Sequence, residues 1–280
     1  MDTAQHAAAA EIERHEALMW RRCVEAAAAL PGNPLGALVE DRGDVPLTAM
    51  TALDSDEFNR VVALGVDRPA TAESVADICG FYRALGQSSF RIEAAPVASP
   101  EKLPGLLEDQ GLHRVPVTVT KLWEALTPTT PAVDDPGGFD VRRLDASDGA
   151  AVGQLNLLAY GAWDTEVSLA PWFAATVGYP GFIYYGGFAD DRLVAVGAVF
   201  VEDDLAWFGF AATHPRYRSR NIQQSLTARR LADARRLGCR IVHGEVRTDR
   251  FVSTRARLFQ MTYEKPSFRS QEPPPAAEET

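Results

Sequence analysis

The chain reads as an α/β protein with mixed sheets, built as two similar halves in tandem behind an N-terminal helix. Three observations predict this. Strand-sized and helix-sized segments alternate along the 280 residues. The order strand, helix, strand, helix, strand occurs on both sides of a turn-rich stretch, TPTTPAVDDPGG at 127–138. In the second half, three strand-sized runs follow one another through short acidic connections, Asp190-Asp191-Arg192 and Glu202-Asp203-Asp204, whose carboxylates read as solvated turn residues.

Taken in order, residues 5–30 combine high helix propensity with a stop at Pro31-Gly32. Strands are expected at Ala37–Glu40, Val45–Met50 and Phe58–Leu64. A helix follows over Thr71–Leu85, with Thr71 as cap and Gly86 as stop. Ser89–Ala94 alternates as a strand, Pro100–Gln110 is a helix closed by Gly111, and Leu112–Leu122 returns as one strand. In the second half Phe139–Leu144 is a strand, and Ser147 is placed to cap a helix through Tyr160. A further helix covers Leu169–Val177. The three-strand meander is Gly181–Ala189, Leu193–Val201 and Leu205–Thr213. An Arg-rich loop then opens a helix ending at Gly238. Arg240–Val246 is a strand, Thr254–Gln260 a short helix, and Met261–Phe268 a last strand. The expected division is a helical extension at 1–34, a first domain at 35–126, a linker at 127–138, a second domain at 139–269 and a disordered tail at 270–280.

Composition narrows the function. An apolar fraction of 46% is ordinary for a globular protein, and no run approaches the length of a membrane span. The N-terminus has no basic region ahead of Ala7–Ala10, so a signal peptide is not expected. Three scattered cysteines, Cys23, Cys79 and Cys239, suit buried reduced thiols rather than disulfides or zinc, and a cytoplasmic protein. The net charge of −10 disfavours nucleic acid and anionic membranes as partners. Yet twelve arginines face only Asp233, Glu245 and Asp249 between residues 216 and 257. A basic zone on an acidic protein suits a small polyanion, or else a solvated helix face. Motifs for nucleophilic hydrolases, P-loops, metalloproteases and dinucleotide folds are absent, and no metal site is expected.

The basic zone centres on LAWFGFAATHPRYRSRNIQQSL, a strand, an Arg-rich loop and a helix start. A strand that ends at a helix N-terminus points several backbone N–H groups into one concavity, which with the helix dipole binds pyrophosphate. Glycine is favoured there because the phosphate approaches the backbone and the turn needs positive φ. Here Asn221 and Gln223 stand at the glycine positions. Asn is the non-glycine residue that tolerates the left-handed conformation best.

Pro215, Tyr217, Arg218 and Ile222, with the downstream helix, LGC and the strand RIVHGEV, resemble the cofactor loop of the GCN5-related N-acetyltransferase (GNAT) family, over about residues 139–269. The linker and the SFRIEA and QGLH segments resemble tandem GNAT proteins whose first copy has lost its loop; the corresponding GVDRPATAE has no glycine pair. The resemblance implies an acetyl-CoA or other acyl-CoA bound by Phe210, Ala211, Ala212, Thr213, Arg218, Ser219, Arg220, Asn221, Ile222, Gln223, Gln224 and Ser225. Arg216, Arg229 or Arg230 would reach the 3′-phosphate. It further implies an amine acceptor against Tyr160, Trp163, Asp164, Glu166 and Trp207. Glu245 is the candidate base, with a structural ion pair to Arg247 or Arg240 as the alternative. The family's acid position falls on Leu258, which has no proton to give, leaving Tyr263 and Tyr217 as substitutes. An Asn of the family is missing from RTDRFVSTRARL. His214 and His243 read as structural. The expected function is acyl-CoA-dependent N-acyl transfer to a small amine by a monomer or homodimer. The alternatives are a repurposed fold that binds or converts a small molecule otherwise, and a partner-binding protein using its N-terminal helix.

Overall fold

The computed structural model describes residues 1–115, 119–130, 132–160, 168–247, 259 and 261–271. The predicted helix at 254–260, Leu258 and most of the predicted tail lie outside them. Helix α1 (Thr3–Ala28) starts in a capping box: the Asp2 carboxylate accepts from Gln5 N–H, and the Gln5 side chain accepts from Asp2 N–H. Strands β1 (Ala37–Arg42), β2 (Val45–Met50) and β3 (Arg60–Val61), helix α2 (Ala72–Ala84), β4 (Arg91–Glu93), α3 (Leu103–Asp109), β5 (His113–Arg114) and β6 (Val119–Ala125) complete the first half. The second contains β7 (Asp140–Arg143), α4 (Gly149–Tyr160), α5 (Ala170–Thr176), β8 (Phe182–Ala189), β9 (Arg192–Glu202), β10 (Leu205–Thr213), α6 (Ile222–Arg236), β11 (Ile241–Arg247), β12 (Met261–Lys265) and β13 (Ser267–Arg269).

Local chemistry explains most boundaries. Gly86, Gly111 and Gly238 follow α2, α3 and α6 with positive φ. The cap ahead of α4 is Asp145 rather than Ser147: its carboxylate accepts from Ser147 N–H and opens a single 3₁₀ turn. The predicted strand 58–64 shortens to two residues.

The two predicted terminal strands each break in two, and the pieces enter different sheets. One sheet has the order β1-β2-β3-β4-β13-β5, the other β12-β6-β11-β10-β9-β8-β7. The first half thus sends β6 between β11 and β12, while the second sends β13 between β4 and β5. Pro266 marks one crossing: lacking an N–H it cannot continue the ladder, and its carbonyl accepts from Ala94 instead. Neither sheet is built from one half of the chain.

Helix α1 is not an appendage. Ile12, Met19, Trp20, Cys23 and Val24 are buried along it. It packs on β1, β2, β10 and α5, so that its apolar face joins the core of both sheets. At about 1.5–3 kcal/mol per fully buried large apolar side chain, removing it would cost an amount comparable to the roughly 5–15 kcal/mol net stability of a typical protein. Helices α2 and α3 cover the far face of the first sheet, and α6 the far face of the second. All three cysteines are buried and free. Among the described residues, no helix is long and apolar enough to cross a membrane.

Candidate functional site

The parallel ladder between β10 and β11 is short. Leu205, Ala206 and Trp207 pair with Ile241, Val242 and His243, and then the strands part. Two glycines belong to this parting. A Cβ on Gly244 would lie 2.7 Å from the Phe208 carbonyl oxygen, and one on Gly209 would enter the Trp207 indole, which folds across it. A bulge between Gly209 and Ala212 bends β10, with Phe210 at φ 45°. The result is a wedge between β10 and β11.

At one end of the wedge stands the start of α6. Asn221 caps it at φ 62° and ψ 9°, the left-handed conformation that glycine would adopt, and its side chain makes no cap bond. Ser219 also has φ 61°. Among the described residues nothing accepts from the N–H groups of Ser219, Arg220, Asn221, Ile222 or Gln223, whereas Gln224 and Ser225 already donate to the Asn221 carbonyl at 2.8 and 3.2 Å. The Gln223 side chain is engaged away from these N–H groups. Its amide turns under the bulge and donates to Ala212 O, Val196 O and Thr213 Oγ1 at 2.9–3.1 Å. Ile222 packs on Gly187, and Gln224 donates to the Asp134 carbonyl. Ser225 is buried.

The arginines sort themselves. Arg230 is buried, its guanidinium on Ala198 O and Thr227 Oγ1, so it cannot reach a 3′-phosphate. Arg229 and Arg236 pair with Asp233, and Arg240 with Glu11 and Asp204. Arg216, Arg218 and Arg220 are exposed and pair with no described carboxylate; Arg218 donates to Ala159 O, and Arg220 lies 5.2 Å over the Tyr217 ring. The unneutralised positive charge therefore lies beside the open N–H groups.

On β11, two residues beyond the last parallel pair, stands Glu245, about a fifth exposed, in a cluster of charges drawn from both halves. Across the ladder it faces Lys121 on β6, which faces Tyr263 on β12. Lys121 Nζ lies 3.5 Å from Glu245 and contacts Glu16 of α1. Lys265 touches Glu93 at 2.6 Å, Glu16 at 2.7 Å and Glu13 at 3.3 Å. Arg60 pairs with Glu93 and approaches both Glu16 and Glu245 to 3.9 Å. Carboxylate oxygens of Glu16, Glu93 and Glu245 lie within 4.8 Å of one another, already neutralised by these cations.

Burial, then the charge of Glu16, pushes Glu245 up to about 7 against the pull of Lys121, Arg60 and Lys265. Burial would also raise Glu16, but Lys121 and Lys265, with a hydrogen bond from Glu245, hold it well below the usual range. Burial opposes ionisation of Glu93 as well, and Arg60, Lys265 and Arg91 overcome it, bringing it to about 2. A carboxyl titrating near neutrality beside a wedge is equipped to take a proton from an ammonium group. Arg240 is committed elsewhere, and the Arg247 side chain is outside the described residues.

The other predicted chemistry is placed less favourably. Tyr263 is buried and its hydroxyl donates to Glu13 at 2.7 Å; burial and that carboxylate raise its pKa, so it is not poised at the wedge as an acid. Trp207 is 4% exposed, packed with Phe210. Trp163, Asp164, Glu166 and the side chain of Tyr160 are outside the described residues. His243 is structural: its Nε2 lies 2.8 Å from His15 Nδ1 in the core. Glu16, Lys121, Lys265, Arg60 and Glu93 were not among the predicted site residues.

No protein-family model and no curated protein matches the sequence. Solved structures do match in fold. A GCN5-related N-acetyltransferase from Kribbella flavida superposes with a TM-score of 0.62 at 15% identity, over 91% of this chain and 97% of that one. A tandem GNAT protein from the clavulanic acid biosynthesis pathway gives 0.61 at 15% identity, over 86% and 85%. A GNAT-family protein from Novosphingobium aromaticivorans DSM 12444 gives 0.53 at 19% identity, over 88% and 95%. The chain has the tandem GNAT fold.

Proposed function

We propose that the protein is an acyl-CoA-dependent N-acyltransferase, with acetyl-CoA as the donor and a small amine as the acceptor. The observation that carries this is the run of five N–H groups at the start of α6 that donate to nothing among the described residues, flanked by three exposed arginines that pair with no described carboxylate. Such a run binds a pyrophosphate, and the wedge beside it leads to Glu245. Glu245 would take the proton of the acceptor ammonium, directly or through one water. The free amine then attacks the thioester carbonyl; as the C–S bond breaks and the thiolate leaves, the nitrogen gives up its remaining excess proton to solvent, which leaves a neutral amide. A thiol of ordinary pKa near 8.5 accepts its proton from solvent, so Leu258 is no obstacle in principle.

A second reading, binding without transfer, is favoured by one observation. On the α4 and α5 face of the wedge, Trp207 lies over Gly209, and Phe210 is packed among Trp172, Phe173 and Tyr184. Calorimetric titration with acetyl-CoA, for the wild type and Arg218→Ala with Arg220→Ala, tests the shared premise. Micromolar binding weakened by the variant supports the cradle; no heat from folded protein removes both readings that invoke CoA. Thiol release across a panel of amines then separates transfer from binding.

A further inference from the structure

We infer that Glu16 and Lys121, both contributed by the first half, are positioning residues for Glu245, so that the half without an open cradle builds the base of the half that has one. This rests on the acyltransferase reading for its purpose and on the cluster's geometry for its substance.

Glu245 is the one member of the carboxylate trio with part of its side chain exposed; Glu16 and Glu93 are fully enclosed. The others therefore act through it. Two unrelated elements deliver the partners. The α1 capping box and its apolar stripe fix the helix over the second sheet, so that Glu16 enters the cluster from above. Strand exchange inserts β6 between β11 and β12, setting Lys121 opposite Glu245 in the ladder. The exchange thus has a chemical consequence as well as a topological one. Without β6, the neighbour of Glu245 would be β12 or solvent.

Five elements around Glu245 bring charged or titratable groups to it, and β10, its parallel neighbour, brings none. From α1 come Glu13 and Glu16, from β3 Arg60, from β4 Arg91 and Glu93, from β6 Lys121, and from β12 Tyr263 and Lys265. On its own strand, His243 is held neutral by burial and by His15. Three cations close to Glu245 would keep it ionised. Glu16 offsets two of them, since Lys121 and Lys265 both contact it. The proton Glu245 binds is held against the ionised Glu16 in a hydrogen bond between the two, so their titrations are coupled.

The test is carboxyl carbon-13 NMR of the glutamate-labelled full chain from pH 4 to 9, with Glu245 assigned by its loss in Glu245→Gln. In Glu16→Gln the Glu245 midpoint should fall from near neutrality by about one pH unit or more, and in Lys121→Met it should rise. An unchanged midpoint in folded Glu16→Gln overturns the inference. Should either buried-charge variant fail to fold, the wild type decides. The Glu16 resonance should show a step at the Glu245 midpoint that disappears in Glu245→Gln, and a Glu16 signal flat through that range overturns the inference equally. Neither measurement uses acetyl-CoA. Binding of acetyl-CoA with no Glu16 coupling would sink the inference and leave the acyltransferase reading standing; coupling without binding would do the reverse.

Discussion

The two halves repeat one layout, and the comparison of their helix starts is instructive. In each, a strand pairs briefly in parallel with the strand that follows the next helix: β3 with β4, and β10 with β11. The start of α2 is sealed. Thr71 Oγ1 accepts from Ser74 N–H, Ser74 Oγ accepts from Thr71 N–H, and Ala70 N–H donates to the Ser99 carbonyl. A Cβ on Gly65 would sit 2.5 Å from the Ser99 oxygen, so the loop ahead of α2 is pressed against its neighbour. The start of α6 has no side-chain cap, and its first donors find no acceptor among the described residues. The same fold, then, carries an occupied helix end and an available one. Fold likeness does not tell them apart; the accounting of backbone donors does.

The carboxylates differ in the same way. Glu93 and Glu245 lie on equivalent strands, yet Glu93 is enclosed and drawn well down by Arg60 and Lys265, while Glu245 is about a fifth exposed on the strand that borders the wedge. The largest expected effect follows. Glu245→Gln should lower turnover about 100- to 10,000-fold, the range for loss of a general base, with acetyl-CoA affinity retained. Steady-state kinetics and calorimetry on the same preparation check it. A rate within about threefold of wild type would remove Glu245 from the chemistry.

Next is the enclosed side. Arg60 bridges Glu93, Glu16 and Glu245 and lies 4.1 Å over the Trp20 ring. Arg60→Met leaves buried carboxylates with fewer cations and should destabilise the fold by about 3–5 kcal/mol, read from urea unfolding. A loss below about 1 kcal/mol would mean that the cluster relaxes its charges by protonation instead.

What the sequence made legible is local. The meander, the Thr71 cap, the glycine stops and the left-handed fitness of Asn221 all follow from near neighbours in the chain. The strand exchange does not, because alternation in Leu112–Leu122 and Met261–Phe268 shows a strand without showing its partner. Pro266 was the available sign of a break. The charge cluster was hidden for a related reason: Glu13, Glu16, Arg60 and Lys121 read singly as surface residues. One signal existed. The chain has only three lysines, and two of them, Lys121 and Lys265, are fully buried. In so Arg-rich a sequence a lysine marks a place for a compact cation, and Lys265 meets three carboxylates at once.

The open helix end can be probed through its backbone. Asn221→Val puts a β-branched residue at φ 62°, with a strain of about 1–3 kcal/mol. Relief of that strain would swing the N–H groups out of line, so acetyl-CoA affinity should fall about 5- to 150-fold. Asn221→Gly should bind at least as well as the wild type. Equal affinity for the valine variant would place the ligand elsewhere.

The smallest effect belongs to the sealed end, and it completes the contrast. Thr71→Ala removes the side-chain oxygen that accepts from Ser74 and should lower stability by about 1 kcal/mol. Because α2 begins in the half whose loop is already closed by Ser74 and Ser99, the freed N–H should find water and not a phosphate. Acetyl-CoA titration of this variant should therefore give the wild-type affinity and one site per chain. A weakened affinity would mean that the first half communicates with the cradle. A second site would mean that sealing by a side chain, and not the lost glycines of GVDRPATAE, is what silences the first half.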